Sequence, residues 1–437
     1  MGKLCLLIMV LCAPLCAMGV CAQEKCVLTL EELFALADKN SKSLHAASFA
    51  VREAAQAVEV ARNGKLPDIE LSLSASYLGN GHLTDRDFSD GRSVSIPHFG
   101  NNFAITATQL IYGGGKVDNA IALAQLKKEM AGVNLDVTRS RVRWMLTGFY
   151  LDLYQYQNVL RVYDKSIELA QLVISDTRAR NKEGLALQND VTRQELHLKN
   201  LELARKRVAN SADILNYDLV TLLGLPAGTQ IQVDSTLIAR QLPMESLAHW
   251  QEVASTGAHS VKQSALAVKT SERAERLERS NLLPNVALIA SNHFEGPITI
   301  EVPAINKNFN YWFVGVNVSY PLHALYKTKR SIKQARIATE WNRQKQEETL
   351  QQTNLNVMAD YTRMLEAQDA VETLKKSVAL AHENYDIIST RYTNDIALVT
   401  DLLDAATQRL DAELQLVNAR INVLFNYYKL WETAGIL

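Results

Sequence analysis

Asp401 and Asp404 fall three residues apart, in the first turns after a helix start near 397–400. Carboxylates there meet the positive end of the helix, so the position alone explains their type. Elsewhere Asp and Glu are spread along helical stretches, as solvated coiled-coil faces require, and their pairing carries little catalytic information. The nine histidines are scattered, and no His-x3-His or Cys/His cluster has the spacing of a metal site. His323, beside a strand-like segment, reads as a junction residue rather than a ligand. Gly113-Gly-Gly-Lys116 lacks the Gly-x4-Gly-Lys-Ser/Thr spacing of a phosphate loop. Flexible backbone where a strand swings into a helix accounts for it. No Gly-x-Ser-x-Gly element or other nucleophile signature is present. The sequence points to no enzyme, no cofactor and no metal.

What is patterned is a repeat. Arg180-Asn-Lys-Glu-Gly184-Leu-Ala-Leu-Gln-Asn-Asp190 recurs 211 positions later as Arg391-Tyr-Thr-Asn-Asp395-Ile-Ala-Leu-Val-Thr-Asp401. The copies share Arg, the Ala-Leu pair and the final Asp. Gly184-Leu185 and Asp395-Ile396 fall at reversals between helical stretches, where Gly or Asp suits a positive φ. The same offset superposes Thr108-Gln-Leu-Ile-Tyr112 on Ser319-Tyr-Pro-Leu-His323. A repeat about half the chain long means duplication of one large unit, not a solenoid.

The elements that carry these positions follow from proline placement and apolar period. No proline lies between Pro97 and Pro226, and none after Pro321. Long helices are expected over 116–223 and 326–433, because Pro and Gly are what helix interiors avoid. Apolar residues such as Met364, Val371, Leu374, Val378 and Tyr385 step by three, four or seven. That period describes a narrow coiled-coil seam. A helix over 116–180 is about 100 Å long at ~1.5 Å per residue. Strands are expected at 67–78, 102–112, 284–294 and 311–322. Ile69, Leu71 and Leu73 alternate with Glu70, Ser72 and Ser74, and Trp312, Val314, Val316 and Val318 share one face of the last strand. Their length suits tilted strands that cross a bilayer in about 9–11 residues. Long polar loops, 79–101 and 295–310, join each pair, so loops project from one side and helices from the other.

Residues 1–22 read as an export signal: Lys3, an apolar run, then Val20-Cys21-Ala22 before Gln23. All five cysteines (5, 12, 16, 21 and 26) lie in or just past this leader. Cleavage after Ala22 leaves Cys26 alone and no internal disulfide; a rival reading makes Cys16 or Cys21 a lipid-carrying first residue. The formal charge of −1 over 437 residues gives no electrostatic footprint for nucleic acid. The mature chain divides into a first repeat (23–228), an inter-repeat segment (229–244) and a second repeat (245–437).

Strands in lipid cannot leave edge N–H and C=O groups unpaired, so a membrane sheet must close into a barrel. Single-chain barrels begin at eight strands. Four strands cannot close, and narrow apolar seams also need neighbours, so both features ask for a homo-oligomer.

Over essentially the whole mature chain, these residues resemble the TolC-type outer-membrane efflux family. Gln109-Leu-Ile-Tyr-Gly-Gly-Gly115-Lys116 resembles the family's strand-to-helix junction, and Leu222-Leu-Gly-Leu-Pro-Ala-Gly-Thr229 is similar to the end of its first repeat. Gly184-Leu185-Ala186 followed by Asp190-Val191 resembles its helix-turn-helix tip, and Asp401-Leu-Leu-Asp404-Ala-Ala-Thr407 the matching segment of the second repeat. The resemblance implies a mostly α fold with a small membrane β part. Three chains would share a twelve-stranded β-barrel, continued by a periplasmic α-helical barrel, with the inter-repeat segment in an equatorial region. It also implies a passive exit duct that docks a periplasmic adaptor and an inner-membrane pump. Asp401 and Asp404 match acidic positions at the periplasmic mouth, where a carboxylate ring binds cations. Tyr392 matches a tyrosine that helps hold that mouth shut. Asp190 falls at the acidic partner of an inter-helix link whose cation position is Ala397 here, so that salt bridge is missing. Gly184, Leu185, Asp395 and Ile396 would contact adaptor hairpins. The alternative from another class is a secreted, soluble coiled-coil scaffold with two structural hairpins.

Overall fold

The computed structural model describes residues 25–234, 243, 245–394 and 396–437. The expected leader with its four cysteines, part of the inter-repeat segment and Asp395 lie outside the described residues. The order is β1 (Lys25–Leu28), α1 (Leu30–Asn40), α2 (Lys42–Arg62), β2 (Asp68–Tyr77), β3 (Gly81–Leu83), β4 (Arg92–Val94), β5 (Phe99–Tyr112), α3 (Lys116–Lys182) and α4 (Gln188–Leu223). There follow β6 (Gln230–Val233), α5 (Leu247–Gly257), α6 (His259–Ser280), β7 (Asn285–Gly296), β8 (Phe309–Ser319), α7 (Ala324–Thr393) and α8 (Val399–Ala434). The fold is mostly α, with 67 residues in α3 and 70 in α7, neither holding a proline. Both α4 and α8 are 36 residues long, and they start 211 positions apart, the offset of the sequence repeat.

Contacts gather the chain into two units. The first takes residues up to 41, 145–243 and 364–426. Its helices pack through apolar seams, one built on Tyr385, Tyr392, Val399 and Leu402, another on Leu151, Ile421 and Leu424. α1 starts on a reciprocal cap: Thr29 Oγ1 accepts the Glu32 N–H at 3.2 Å, and Glu32 Oε2 accepts the Thr29 N–H at 2.9 Å. A parallel pair, β1 with β6, was not expected, because four-residue strands show no period. The fully buried Tyr150 hydroxyl holds it, donating to Leu28 O at 2.7 Å and accepting from Asp234 N at 3.1 Å.

The second unit takes 42–144, 244–363 and 427–437. Trp250, Tyr427 and Trp431 form an aromatic cluster, with Tyr427 5.4 Å from Trp431 and edge-on to Trp250 at 6.5 Å. Asp360 is buried but satisfied, accepting from Thr433 Oγ1 at 2.7 Å and Arg363 Nη1 at 3.1 Å.

The main sheet of this unit is antiparallel in the order β2-β5-β7-β8. Two of its strand ends depart from expectation. β5 starts at Phe99 and not near 102, extending through Gly100 and Asn101, residues whose types read as loop. β8 stops at Ser319 because Pro321 offers no N–H to a ladder. Residues 108–112 therefore stay in a strand, while of their repeat partners at 319–323 Ser319 alone does. The loop between β2 and β5 carries the small β3–β4 hairpin.

Candidate functional site: an apolar sheet face and two helical tips

The register sorts the sheet's side chains into two faces. One row across it reads Leu71, Ile105, Asn292, Trp312, and the next on that face reads Ile69, Ala107, Ala290, Val314. On the opposite face lie Glu70, Thr106, Ser291, Phe313 and then Ser72, Ala104, His293, Tyr311. A hydrogen bond between Thr106 Oγ1 and Ser291 Oγ at 2.8 Å fixes that second face. The first face is uncovered within its unit. Trp312 is 73% exposed, and Leu71, Leu73, Val314, Val316 and Val318 are likewise exposed. An uncovered apolar surface of this extent marks contact with a partner or a membrane.

Among the described residues, the outer edges of β2 and β8 pair with nothing. Alternate N–H and C=O groups of an edge strand point away from its neighbour. In hydrocarbon each such group costs several kcal/mol, so two open edges of ten and eleven residues are untenable without a further strand. The strand-to-helix junction requires glycine: Gly114 has φ +64°, and a Cβ there would lie 2.8 Å from Leu283.

In the other unit, both helical reversals take one geometry. Leu185 N donates to Arg180 O, and Ile396 N donates to Arg391 O, each at 2.8 Å. Gly184 has φ +80° with open space where a Cβ would sit. Leu187 N donates to Asp190 Oδ2 at 3.1 Å, and Leu398 N to Asp401 Oδ2 at 3.0 Å. The repeated Asp is thus a helix-start acceptor in both copies. Asp404 accepts from Gln408 Nε2 at 2.7 Å, and both Asp401 and Asp404 are exposed. Asp190 is used within its own helix start.

The tips display apolar side chains where polar caps are usual. Leu185, Leu187, Ile396 and Leu398 are 64–74% exposed. Leu187 and Leu398 were not singled out in the sequence; their repeat at equal spacing was the available signal.

Tyr392 is buried where α3 meets α7. Its hydroxyl shares a 2.9 Å hydrogen bond with Thr177 Oγ1, which itself donates to Val173 O at 2.8 Å. The Arg180 guanidinium lies 5.0 Å from the Tyr392 ring centre and donates to Thr393 O at 2.7 Å. Arg180 marked the repeat in the sequence, but its reach to residue 393 was not legible there. Deeper in the same bundle, burial lowers the His197 pKa and raises that of Tyr385, the latter opposed by Arg409 over its ring.

The family model described as outer membrane efflux protein matches residues 33–225 and 251–435. The chain is 20% identical to the outer membrane efflux protein BepC of Brucella suis over 408 residues, covering 93% of this chain and 85% of that protein. It is 24% identical to the outer membrane protein TolC of Salmonella enteritidis over 157 residues, 36% of this chain and only 32% of that protein. Its fold matches the outer membrane protein VceC of Vibrio cholerae with a TM-score of 0.75 at 15% identity, covering 93% and 96% of the two chains. With both repeats matched and one sheet face apolar and bare, the chain belongs to the outer membrane efflux protein family and is an outer-membrane protein of efflux, not a soluble scaffold.

Proposed function

We propose that three copies of this chain close one barrel and form the passive exit duct of a tripartite export system. Each copy gives four strands to a twelve-stranded wall whose apolar face meets lipid, and its long helices form a periplasmic tube. The observation that carries this reading is the four-stranded sheet with one uncovered apolar face and two free edges. β2 and β8 run in opposite directions, so β8 of one copy can lie antiparallel against β2 of the next. A head-to-tail contact of that kind closes into a ring.

The exposed apolar tips dock a periplasmic adaptor, which links the duct to an inner-membrane pump. Gly184, Leu185, Asp395 and Ile396 belong to these tips, with Leu187 and Leu398 beside them. Tyr392 helps hold the periplasmic mouth closed, and Asp401 with Asp404 forms a ring of six carboxylates there. The duct performs no catalysis. BepC and TolC are named as outer-membrane proteins, which supports the same placement for this chain. Detergent fractionation tests the reading. The protein should sediment with outer membranes and yield a large oligomer that conducts ions in planar bilayers; release as a monomer by osmotic shock would overturn it.

A further inference from the structure

The four strands of the main sheet contain three carboxylates, Asp68, Glu70 and Glu295, and no Lys or Arg. All three fall on the polar face, since Asp68, Glu70, Ser72 and Ser74 alternate along β2 and Ser74 shares its row with Asn102, Glu295 and Phe309. In a barrel this face lines the lumen, where polar side chains are the rule. Here it also carries aromatic rings. Phe309 stacks on Tyr311 at 5.3 Å, Tyr311 on His293 at 5.1 Å, and His293 on Phe313 at 6.1 Å. His293 Nε2 is held by Ser291 Oγ at 2.8 Å, which fixes the imidazole plane within the stack.

Against the loop end of this ladder lies a pocket of about 680 Å³. Glu295, Phe309 and Tyr311 line it on one side, Ser74 and Ser76 on another, and loop residues Pro297 to Ile300 complete its lining. That volume suits a small organic molecule. Glu295 is the one charged side chain among the described residues that line the pocket. One carboxylate beside the exposed end of a stacked ring ladder, with no basic residue in any of the four strands, is complementary to a positive charge carried next to an aromatic or apolar body.

We infer that this pocket is a cargo-contact site for aromatic monocations, such as benzylic quaternary ammonium ions, at the loop end of the duct. The site deepens the exit-duct reading and rests on it for its place in the lumen. Its chemistry divides the work: Glu295 supplies the charge, and Phe309 and Tyr311 supply the rings.

The test uses full-length protein in planar bilayers, with single-channel current recorded in KCl and probe added on the side of the loops. Benzyltrimethylammonium should reduce the current at a concentration about tenfold below that needed for tetramethylammonium, given the usual strength of ring–cation contacts. Benzenesulfonate should leave the current unchanged. Glu295→Gln and Tyr311→Ala should each raise the half-blocking concentration about three- to tenfold. Tyr311→Phe, which keeps the ring, and Asp68→Asn, about 20 Å away along β2, should not. Unitary conductance in KCl reports that each variant has assembled. Conducting channels that treat the two ammonium ions alike, or whose block survives both Glu295→Gln and Tyr311→Ala, overturn the pocket and leave the duct standing. Absence of any conductance from wild-type protein removes the duct, and the lumenal site with it.

Discussion

Replacing Arg180 with alanine should open the periplasmic end more than Tyr392→Phe does. Among the described residues, Arg180 bridges α3 and α7 through the hydrogen bond to Thr393 O and the stack on Tyr392. Its side chain is 15% exposed, so solvent screens these contacts weakly. A hydrogen bond from a charged donor contributes about 1.5–3 kcal/mol, and the ring–cation contact about 0.5–2 kcal/mol. The contacts share one group and do not add in full, so a loss of about 2–3 kcal/mol is expected. The ion pair with Asp176 at 3.0 Å lies within α3 and is half-exposed, so it does not tie the helices together. Tyr392→Phe removes only the bond to Thr177, whose hydroxyl keeps Val173 O, a loss of about 1 kcal/mol. Open-to-closed ratios in planar bilayers should therefore rise roughly thirtyfold to a hundredfold for Arg180→Ala and about fivefold for Tyr392→Phe. Arg180→Lys should fall between them, since it retains charge but not the planar fork. A wild-type open fraction in Arg180→Ala, or a larger effect from Tyr392→Phe, would refute this assignment.

Three other perturbations bear on separate parts of the protein. Val316→Lys on the apolar sheet face should cost about 2–4 kcal/mol at mid-membrane depth and deplete the oligomer, while Ser72→Lys on the polar face should be tolerated; blue-native gels of outer membranes read both. Gly184→Arg, or Leu185→Glu with Ile396→Glu, should stop export in an efflux assay while leaving oligomer yield unchanged, because no side chain packs there. Full export in these variants would sink the docking role of the tips. Asp404→Asn, which leaves the Leu398–Asp401 helix start intact, should weaken divalent-cation block of single channels, and Asp401→Ala should add a helix-start cost of about 1 kcal/mol seen as a lower Tm.

The long helices were legible because absence is informative: a 70-residue range without Pro or Gly has few alternatives to one helix. The apolar face of β2 was legible for a related reason, since Ile69, Leu71 and Leu73 can share a face only at period two. β1 and β6 escaped notice because Lys25–Leu28 and Gln230–Val233 are too short to show any period, and their pairing spans two hundred residues of chain. The start of β5 was hidden by Gly100 and Asn101, whose types favour turns but whose neighbours in the sheet impose extension. Of the candidate site, Asp190 and Asp401 were visible as a repeated letter, while their shared bond to the N–H of the leucine just before each helix needed coordinates. The bridge from Arg180 to Thr393 is tertiary, and no local pattern encodes it.

Native mass spectrometry of the protein extracted intact from outer membranes counts the copies that complete one sheet. Three chains per particle is the expected result, with no stable one-chain species after mild detergent exchange. A folded, lipid-free single chain as the dominant species would show that the edges of β2 and β8 need no neighbour, and would contradict the account at its base.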